Sequence, residues 1–396
     1  MPRLAVQALT LTNAFGPGIS ASLQGLQKGS SALSPGNFPG LEFETWIGRI
    51  DGIEQHRLPE KLREFDARNH RIIDLALDQD GFRERLSPLI QRFGANRIGA
   101  IIGTSTSGIL ETERAYRYRD PETGRLPADF RYRERQNTSA PAAFVQKLLG
   151  ITGPAWVLST ACSSSSKVFA SAARLLQIGW CDAVVVGGSD SLCLTTLYGF
   201  KALDLVAKAP SRPMDSHREG ISIGEGAGFM ILTREPDPEG GICLMGYGES
   251  SDAFHMSSPH PEGVGAARAI TEALQRASLT PDEVDFILLH GTGTRANDLS
   301  EDKAVIQTLG NATASASIKG AIGHTLGAAG IMNAVVACLA LREGFSPGTA
   351  NLLNVDPLIR TDVQKQPKPE APRHVLTNAF GFGGSNAVLI FGKNAA

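Results

Sequence analysis

Four short segments carry residues able to do chemistry. In Val157 to Ser166 (VLSTACSSSS) an apolar strand ends, small residues follow, and Cys162 stands where an Ala/Ser-rich helix opens. The positive end of a helix macrodipole favours a thiolate at such a place, and small neighbours leave the sulfur open to a long acyl chain. A buried structural cysteine fits the same pattern, so this segment alone admits both readings. Cys181, Cys193, Cys243 and Cys338 lack that context and read as core. In Phe286 to Thr294 (FILLHGTGT) an apolar strand delivers His290 at its end, followed by a turn rich in Gly and Thr. The glycines permit close ligand approach, and the hydroxyls of Thr292 and Thr294 can bind an amide-bearing tether. In Ser317 to Gly330 (SIKGAIGHTLGAAG), Lys319 and His324 flank a helix start. In Asn378 to Asn386 (NAFGFGGSN), Phe380 and Phe382 sit in a glycine-rich loop, readable by itself as a loop with aromatic anchors.

The elements that must position these groups are strands and helices in alternation. Arg97 to Gly103, Ala155 to Ser159, Ala183 to Gly187 and Phe286 to His290 read as buried strands. Lys167 to Ile178, Ala266 to Ala277 and Thr325 to Leu341 read as helices. The alternation predicts a mostly parallel sheet with helices on both faces, and catalytic groups of such sheets gather at the carboxyl ends of the strands. Pro and Gly cluster from Glu235 to Gly241 (EPDPEGG), which places a boundary at about residue 240. The expected halves are 1–240, with the cysteine nucleophile, and 241–396, with both histidines and the phenylalanine loop. Each carries a strand followed by a reactive residue at a helix start, which points to duplication of one fold.

Bulk properties narrow the class. A chain of 396 residues with 42% hydrophobic residues is long enough for two packed halves. A net charge of -2 gives no sign of nucleic acid or an anionic membrane. The five cysteines show no CxxC spacing, which speaks against a metal site or disulfide framework and for a reduced, cytoplasmic setting. The N-terminal residues lack the apolar core and cleavage site of a signal peptide, and no uninterrupted apolar run is long enough to span a bilayer. The segment Glu111 to Gln136 holds seven arginines among six acids, so it is nearly neutral. It reads as a solvated excursion, or as a surface at the substrate entrance or a subunit interface.

Taken together, the four segments resemble the motifs of the elongating β-ketoacyl-acyl-carrier-protein synthases, condensing enzymes of the thiolase-fold superfamily. Arg212 to Gly228 (RPMDSHREGISIGEGAG) and Gly246 to Gly263 (GYGESSDAFHMSSPHPEG) extend the resemblance over nearly the whole chain, weakest at about 20–95 and 110–140. It implies an α/β thiolase fold of two duplicated halves in a five-layer αβαβα architecture. It also implies that Cys162 takes an acyl group from a carrier thioester and that His290 and His324 stabilise the enolate formed when a malonyl carrier loses carbon dioxide. Lys319 is then expected to hold the charge network near His324. By the same resemblance the backbone N–H groups of Cys162 and Phe382 are expected to form the oxyanion hole, Phe380 and Phe382 to line or gate the pocket, and Thr292 and Thr294 to bind phosphopantetheine. That group belongs to the carrier, so neither metal nor organic cofactor is expected. The implied partners are an acyl carrier protein and a second, identical or related chain, with neither nucleic acid nor membrane.

Residue types separate relatives within the superfamily. A thiolase carries a second cysteine near its C-terminus, and this chain has none after Cys338. The initiating synthases use Asn where this chain has His324, and chain-length partners lack the nucleophile. A non-catalytic subunit that shapes the pocket of an active synthase is the alternative reading. Departures from the family pattern lie at Asn333, where Glu is usual, at Thr106, which is expected in the acyl pocket, and at Met214 after Arg-Pro. The loop from Phe200 to Arg212 is also about six residues short, judged against that resemblance. These changes surround the acyl pocket and point from fatty acid synthesis toward enzymes resembling the aryl polyene and secondary polyketide synthases.

Overall fold

A computed structural model describes residues 2–235 and 241–393. Residues 236–240, where the boundary is expected, lie outside the described residues. Ten strands build the frame. Five belong to the first half: β1 (Leu4–Asn13), β2 (Ile98–Gly103), β3 (Ala155–Leu158), β4 (Ala183–Asp190) and β5 (Gly226–Thr233). Five belong to the second: β6 (Ile242–Ser251), β7 (Phe286–Leu288), β8 (Ala314–Ala316), β9 (His374–Gly381) and β10 (Ser385–Lys393). With two shorter segments they form a twelve-stranded sheet, whose ten main strands run in the order β8-β7-β9-β10-β6-β1-β5-β4-β2-β3. Each half therefore repeats one order, third-second-fourth-fifth-first, and the halves join back to back where β1 pairs β6 through Leu4–Leu244 and Ala5–Cys243. The duplication is written in this topology.

The sheet is mixed, which corrects the expectation of a mostly parallel one. The wings are parallel, β2 with β3 and β4, and β7 with β8 and β9. The centre is antiparallel, from β4–β5 across β1 and β6 to β10–β9. The wings have helical crossovers, whereas β9 and β10 are joined by the short Phe382–Gly384 turn, which only antiparallel neighbours allow.

Eight helices cover the sheet: α1 (Gly18–Gln27), α2 (Arg68–Leu77), α3 (Phe82–Phe93), α4 (Ala140–Leu149), α5 (Ser164–Gln177), α6 (Val264–Ala277), α7 (Arg295–Leu309) and α8 (Ala329–Glu343). α5 and α8 touch each other and strands of both halves, so they form the middle layer. α8 is buried from Ala329 to Leu341, as expected for a helix apolar on all sides. Each fully buried Leu or Val there contributes about 1.5–3 kcal/mol. α2, α3 and α4 pack outside the first half, and α6 and α7 outside the second. The result is five layers, helix–sheet–helix–sheet–helix. The one stretch apolar enough to cross a membrane among the described residues, Leu326–Glu343, is this central helix, 89% buried in the core.

The segments singled out in the sequence follow the carboxyl ends of β3, β7, β8 and β9. Boundaries shift by a few residues: β7 stops at Leu288, two residues before His290, and a 3-10 turn (Leu326–Ala328) separates His324 from α8. The excursion after β2 forms a helix, Ile109–Arg117, then an irregular run with Tyr116, Tyr118 and Tyr132 more than half exposed.

Candidate active site

Cys162 sits on a sharp turn between β3 and α5. Ala161 before it has φ +52°, a left-handed conformation that costs a residue with a Cβ roughly 1–2 kcal/mol. The serines that follow hold this turn. Ser164 Oγ accepts the Thr160 N–H at 2.9 Å and donates to the Ala161 carbonyl at 2.5 Å, and Ser163 Oγ donates to the Thr160 carbonyl at 2.9 Å. The cysteine lies two residues before the first helical residue, Ser164. Burial pushes its thiol up to about 11, opposed by the Lys319 cation and by the backbone N–H groups of Phe382 and of Cys162 itself. Burial thus opposes the thiolate that the helix end and Lys319 favour.

His290 and His324 converge on that sulfur. One ligand atom from each of the three side chains lies within 4.8 Å of the others, and the imidazoles meet edge to face, centroids 5.4 Å apart at 84°. His324 Nδ1 accepts the Leu326 N–H at 3.2 Å. His290 Nδ1 faces Lys319 Nζ at 3.4 Å, and the same ammonium donates to the His290 carbonyl. Both Nδ1 atoms are thus acceptors, and in a neutral ring the proton then stands on Nε2. Burial holds both imidazoles well below their ordinary range, and the Lys319 charge pushes the same way. A cysteine with two histidines is also a ligand set for a soft metal. Here the free ring nitrogens present N–H groups rather than lone pairs, so the cluster is built to donate hydrogen bonds.

Behind the histidines lie Asn333, singled out in the sequence, and two carboxylates that the motif reading missed. Glu301 of α7 accepts the His290 and Gly291 N–H groups, each at 2.7 Å, and the Asn378 amide at 2.9 Å. Its charge opposes the burial that brings Lys319 down to about 8. The signal for Glu301 was the polar buried face of α7 (Asn297, Asp298, Glu301), helically spaced after the Thr294 cap. Asp298 accepts the Met214 and Gly293 N–H groups at 2.9 and 3.2 Å, pinning the RPMD segment beneath the HGTGT turn. Asn333 donates its amide to the Leu289 and Asn378 carbonyls at 3.2 and 3.3 Å. A carboxylate at that position could not donate, so Asn333 clamps β7 to β9 by hydrogen bonding rather than by charge.

A narrow cavity, open to solvent, joins the cysteine and the two histidines. Cys162, His290, His324, Phe380 and Phe382 line its inner end, and Thr292 and Thr294 line it with Asn297, Ser257 and Ser258. The two threonine hydroxyls are 2.9 Å apart, and Thr294 caps α7 by accepting the Asn297 N–H. The Phe380 ring lies 5.9 Å from His290, and Phe382 packs at 5.5 Å on Phe200, a lining residue that the sequence reading did not single out. The loop bearing Phe382 is tied to a neighbouring segment, Gly383 N–H to the Met256 carbonyl and Asp252 N–H to the Gly384 carbonyl, both at 2.8 Å. Lys319 stands behind His290, outside the lining. Thr106 is also outside it, with its hydroxyl donated to Asp190 at 2.7 Å.

Comparison with known proteins gives the same outline. The family models "Beta-ketoacyl synthase, N-terminal domain" and "Beta-ketoacyl synthase, C-terminal domain" match residues 76–237 and 242–353. The chain is 30% identical to 3-oxoacyl-[acyl-carrier-protein] synthase 2 of Mycobacterium bovis, over 89% of this chain and 91% of that one. It is 31% identical to the synthase of the same name from a Synechocystis strain, over 99% and 98%. Among solved structures, it superposes with a TM-score of 0.90 and 36% identity on the ketosynthase ApeO of Xenorhabdus doucetiae, in complex with its chain length factor ApeC. That match covers 99% of this chain and 98% of that one. The ishigamide ketosynthase/chain length factor matches at TM-score 0.89 and 26% identity over the full length of both.

Proposed function

The chain belongs to the β-ketoacyl synthase family, and from that premise we propose how its site divides the work. The protein is a 3-oxoacyl-[acyl-carrier-protein] synthase, an acyltransferase that joins an acyl thioester to a malonyl unit. In the proposed cycle the Cys162 sulfur attacks the carrier thioester, its proton leaves with the departing carrier thiol, and the acyl group stays on sulfur. The oxyanion formed in that step is held by the N–H groups of Cys162 and Phe382, which converge on the thiol. A malonyl carrier then enters with its pantetheine amides along Thr292 and Thr294. The Nε2–H groups of His290 and His324 hold the malonyl thioester oxygen while the carboxylate leaves as carbon dioxide. The enolate carbon attacks the acyl carbonyl, the C–S bond to Cys162 breaks, and the sulfur regains a proton from solvent.

The observation that carries this reading is one thiol beside two buried imidazoles whose Nδ1 atoms each face a donor, which leaves Nε2–H toward the cavity. Two donors aimed at one oxygen stabilise an enolate without proton transfer, and no step requires a metal or an organic cofactor. Lys319 keeps His290 oriented, and Phe380 and Phe382 close the inner end. The loop bearing Thr106, held on Asp190 outside the cavity that Cys162 lines, is proposed to border the path of a longer acyl chain. The two halves are proposed as 1–240 and 241–396.

As partners we propose an acyl carrier protein, which supplies phosphopantetheine, and a second synthase-like chain. The edge strand β3 supports the latter: Pro154 and Leu158 carbonyls accept the Ala100 and Thr104 N–H groups of the neighbouring β2 side, so Ala155 and Val157 turn their backbone groups outward. The ApeO ketosynthase is solved with a chain length factor, which favours a related chain as the second subunit. The pathway proposed is of aryl polyene or secondary polyketide type, supported by that 36% identity and by the departures around the acyl pocket. Five buried cysteines that form no disulfide support a cytoplasmic setting. A non-catalytic role is disfavoured because Cys162, Lys319 and both histidines are assembled together. Incubation with saturated, polyunsaturated and aryl-primed carriers tests the pathway: preferential loading from conjugated primers is expected, and preference for saturated chains contradicts it.

A further inference from the structure

Asp190 ends β4 and is fully buried. Its two oxygens accept six donors. Four hydrogen bonds arrive from the side chains and amides after β2: Thr104 Oγ1 at 2.5 Å, Ser105 Oγ at 2.6 Å, Thr106 Oγ1 at 2.7 Å and the Thr106 N–H at 3.0 Å. The Ser105 N–H adds a fifth at 3.0 Å. The sixth comes from another part of the chain, the Gly327 N–H at 2.6 Å. Gly327 lies in the turn after His324, and a Cβ there would stand 2.7 Å from Asp190 Oδ2 and 2.6 Å from the Ser105 nitrogen. Only glycine fits so close an approach. Between His324 and Gly327 sits Leu326, held at φ +53°, whose N–H meets His324 Nδ1.

We propose that Asp190 is a positioning residue for His324: by holding the Gly327 N–H it fixes the Leu326 backbone that sets the Nε2–H tautomer, and it joins the Thr104–Thr106 loop to that turn as one unit. The reason is geometric. A left-handed leucine costs of order 1–3 kcal/mol and persists only where its surroundings over-determine it. The Asp190 carboxylate is the partner that anchors the residue after it. Which ring nitrogen carries the proton is decided by the hydrogen bond at the other one, so a loosened Leu326 releases the tautomer. The inference rests on the enolate role of His324 proposed above, and its test separates the two.

The test is Asp190→Asn in the full-length enzyme, with ¹⁵N-labelled histidine for NMR and separate assays of acyl loading and malonyl decarboxylation. Turned one way the amide nitrogen faces the Gly327 N–H and the Ser105 hydroxyl, and turned the other it faces the Thr104 hydroxyl and the Thr106 N–H, so either orientation loses acceptors that hold the loop and the turn as one unit. Wild type is expected to show His324 protonated at Nε2 alone, and the variant a mixture of tautomers. Decarboxylation is expected to fall about 10- to 100-fold, with loading within about threefold of wild type, because the Asp190 hydrogen bonds run to the Thr104–Thr106 loop and Gly327 and its charge, which raises the Cys162 thiol, does not favour the nucleophile. Ser105→Ala, which removes one hydroxyl and disturbs the fold less, moves both readouts the same way by a smaller factor. An unchanged tautomer with unchanged decarboxylation in either folded variant overturns the proposal, as does equal loss of loading and decarboxylation. A tautomer shift in Asp190→Asn, found where His324→Ala leaves decarboxylation intact, upholds the positioning and refutes the enolate role instead.

Discussion

Burial acts on the protonation of each group around Cys162. It raises the thiol, lowers Lys319, and lowers His290 and His324 further, so it opposes the Cys162 thiolate and keeps both imidazoles neutral. Neutral rings with Nδ1 occupied can only donate toward the cavity, which is the role an enolate oxygen requires. For His324→Ala, decarboxylation of malonyl carrier is expected to fall by about 10²–10³, the usual effect of one such donor, while acyl loading on Cys162 is largely retained. Separate single-turnover assays check this, and equal loss of both contradicts it. The pH dependence follows from the same directions. Protonating either imidazole removes nothing until the pH is well below the ordinary histidine range, so decarboxylation should stay level from pH 8 down past 6.5. In Lys319→Met the cation that disfavours imidazolium is gone, both histidine pKa values rise, and the acid limb should move toward neutral pH. A pH–rate profile whose acid limb does not move contradicts that assignment.

At the scale of elements, the reactive residues were legible because each follows a strand of strong apolar character and precedes a turn of Gly, Ser or Thr. Those patterns are local, and they located Cys162, His290, Lys319, His324 and the Phe380–Phe382 loop. Asp190 and Phe200 were not legible, because their roles arise from contacts between segments about 140 to 180 residues apart in sequence, and Glu301 was signalled only by the polar spacing of α7. The antiparallel centre escaped the periodicity reading for a related reason. β4 and β5 are buried on both faces, so their composition does not distinguish parallel from antiparallel neighbours. Close packing between elements makes two substitutions informative. A Cβ on Gly381 would lie 2.8 Å from the Thr160 carbonyl and 3.2 Å from the Cys162 nitrogen. Gly381→Ala should push the Phe382 loop off the cysteine turn and cut acyl loading by about 10²-fold, measured on folded protein. Asn333→Leu removes the donors shared by β7 and β9. It should destabilise the enzyme by about 1–3 kcal/mol, seen as a lower thermal midpoint. A midpoint equal to wild type argues against the clamp.

The whole molecule is one five-strand motif used twice, with its reactive loops brought to one end of the joined sheet. The first copy supplies the nucleophile after its third strand and the Asp190 anchor at the end of its fourth. The second supplies His290, the Lys319–His324 turn and the phenylalanine loop after its second, third and fourth. The duplication was legible only as a suspicion from two strand-to-helix junctions, since the copies share topology rather than a short sequence repeat. The outward edge of β3 predicts assembly. Val157→Pro removes an N–H that the chain's own sheet does not use and should convert a two-chain species into a 42 kDa monomer by sedimentation. A wild-type protein that sediments as a monomer contradicts the pairing. The central claim is that Cys162 carries the acyl group through a decarboxylative condensation. The most direct test is intact-protein mass spectrometry of wild type and Cys162→Ala, with acyl carrier and then malonyl carrier. The account predicts an acyl adduct on wild type alone, discharged by malonyl carrier into a product two carbons longer. An adduct on folded Cys162→Ala, or none on wild type from any primer, contradicts it.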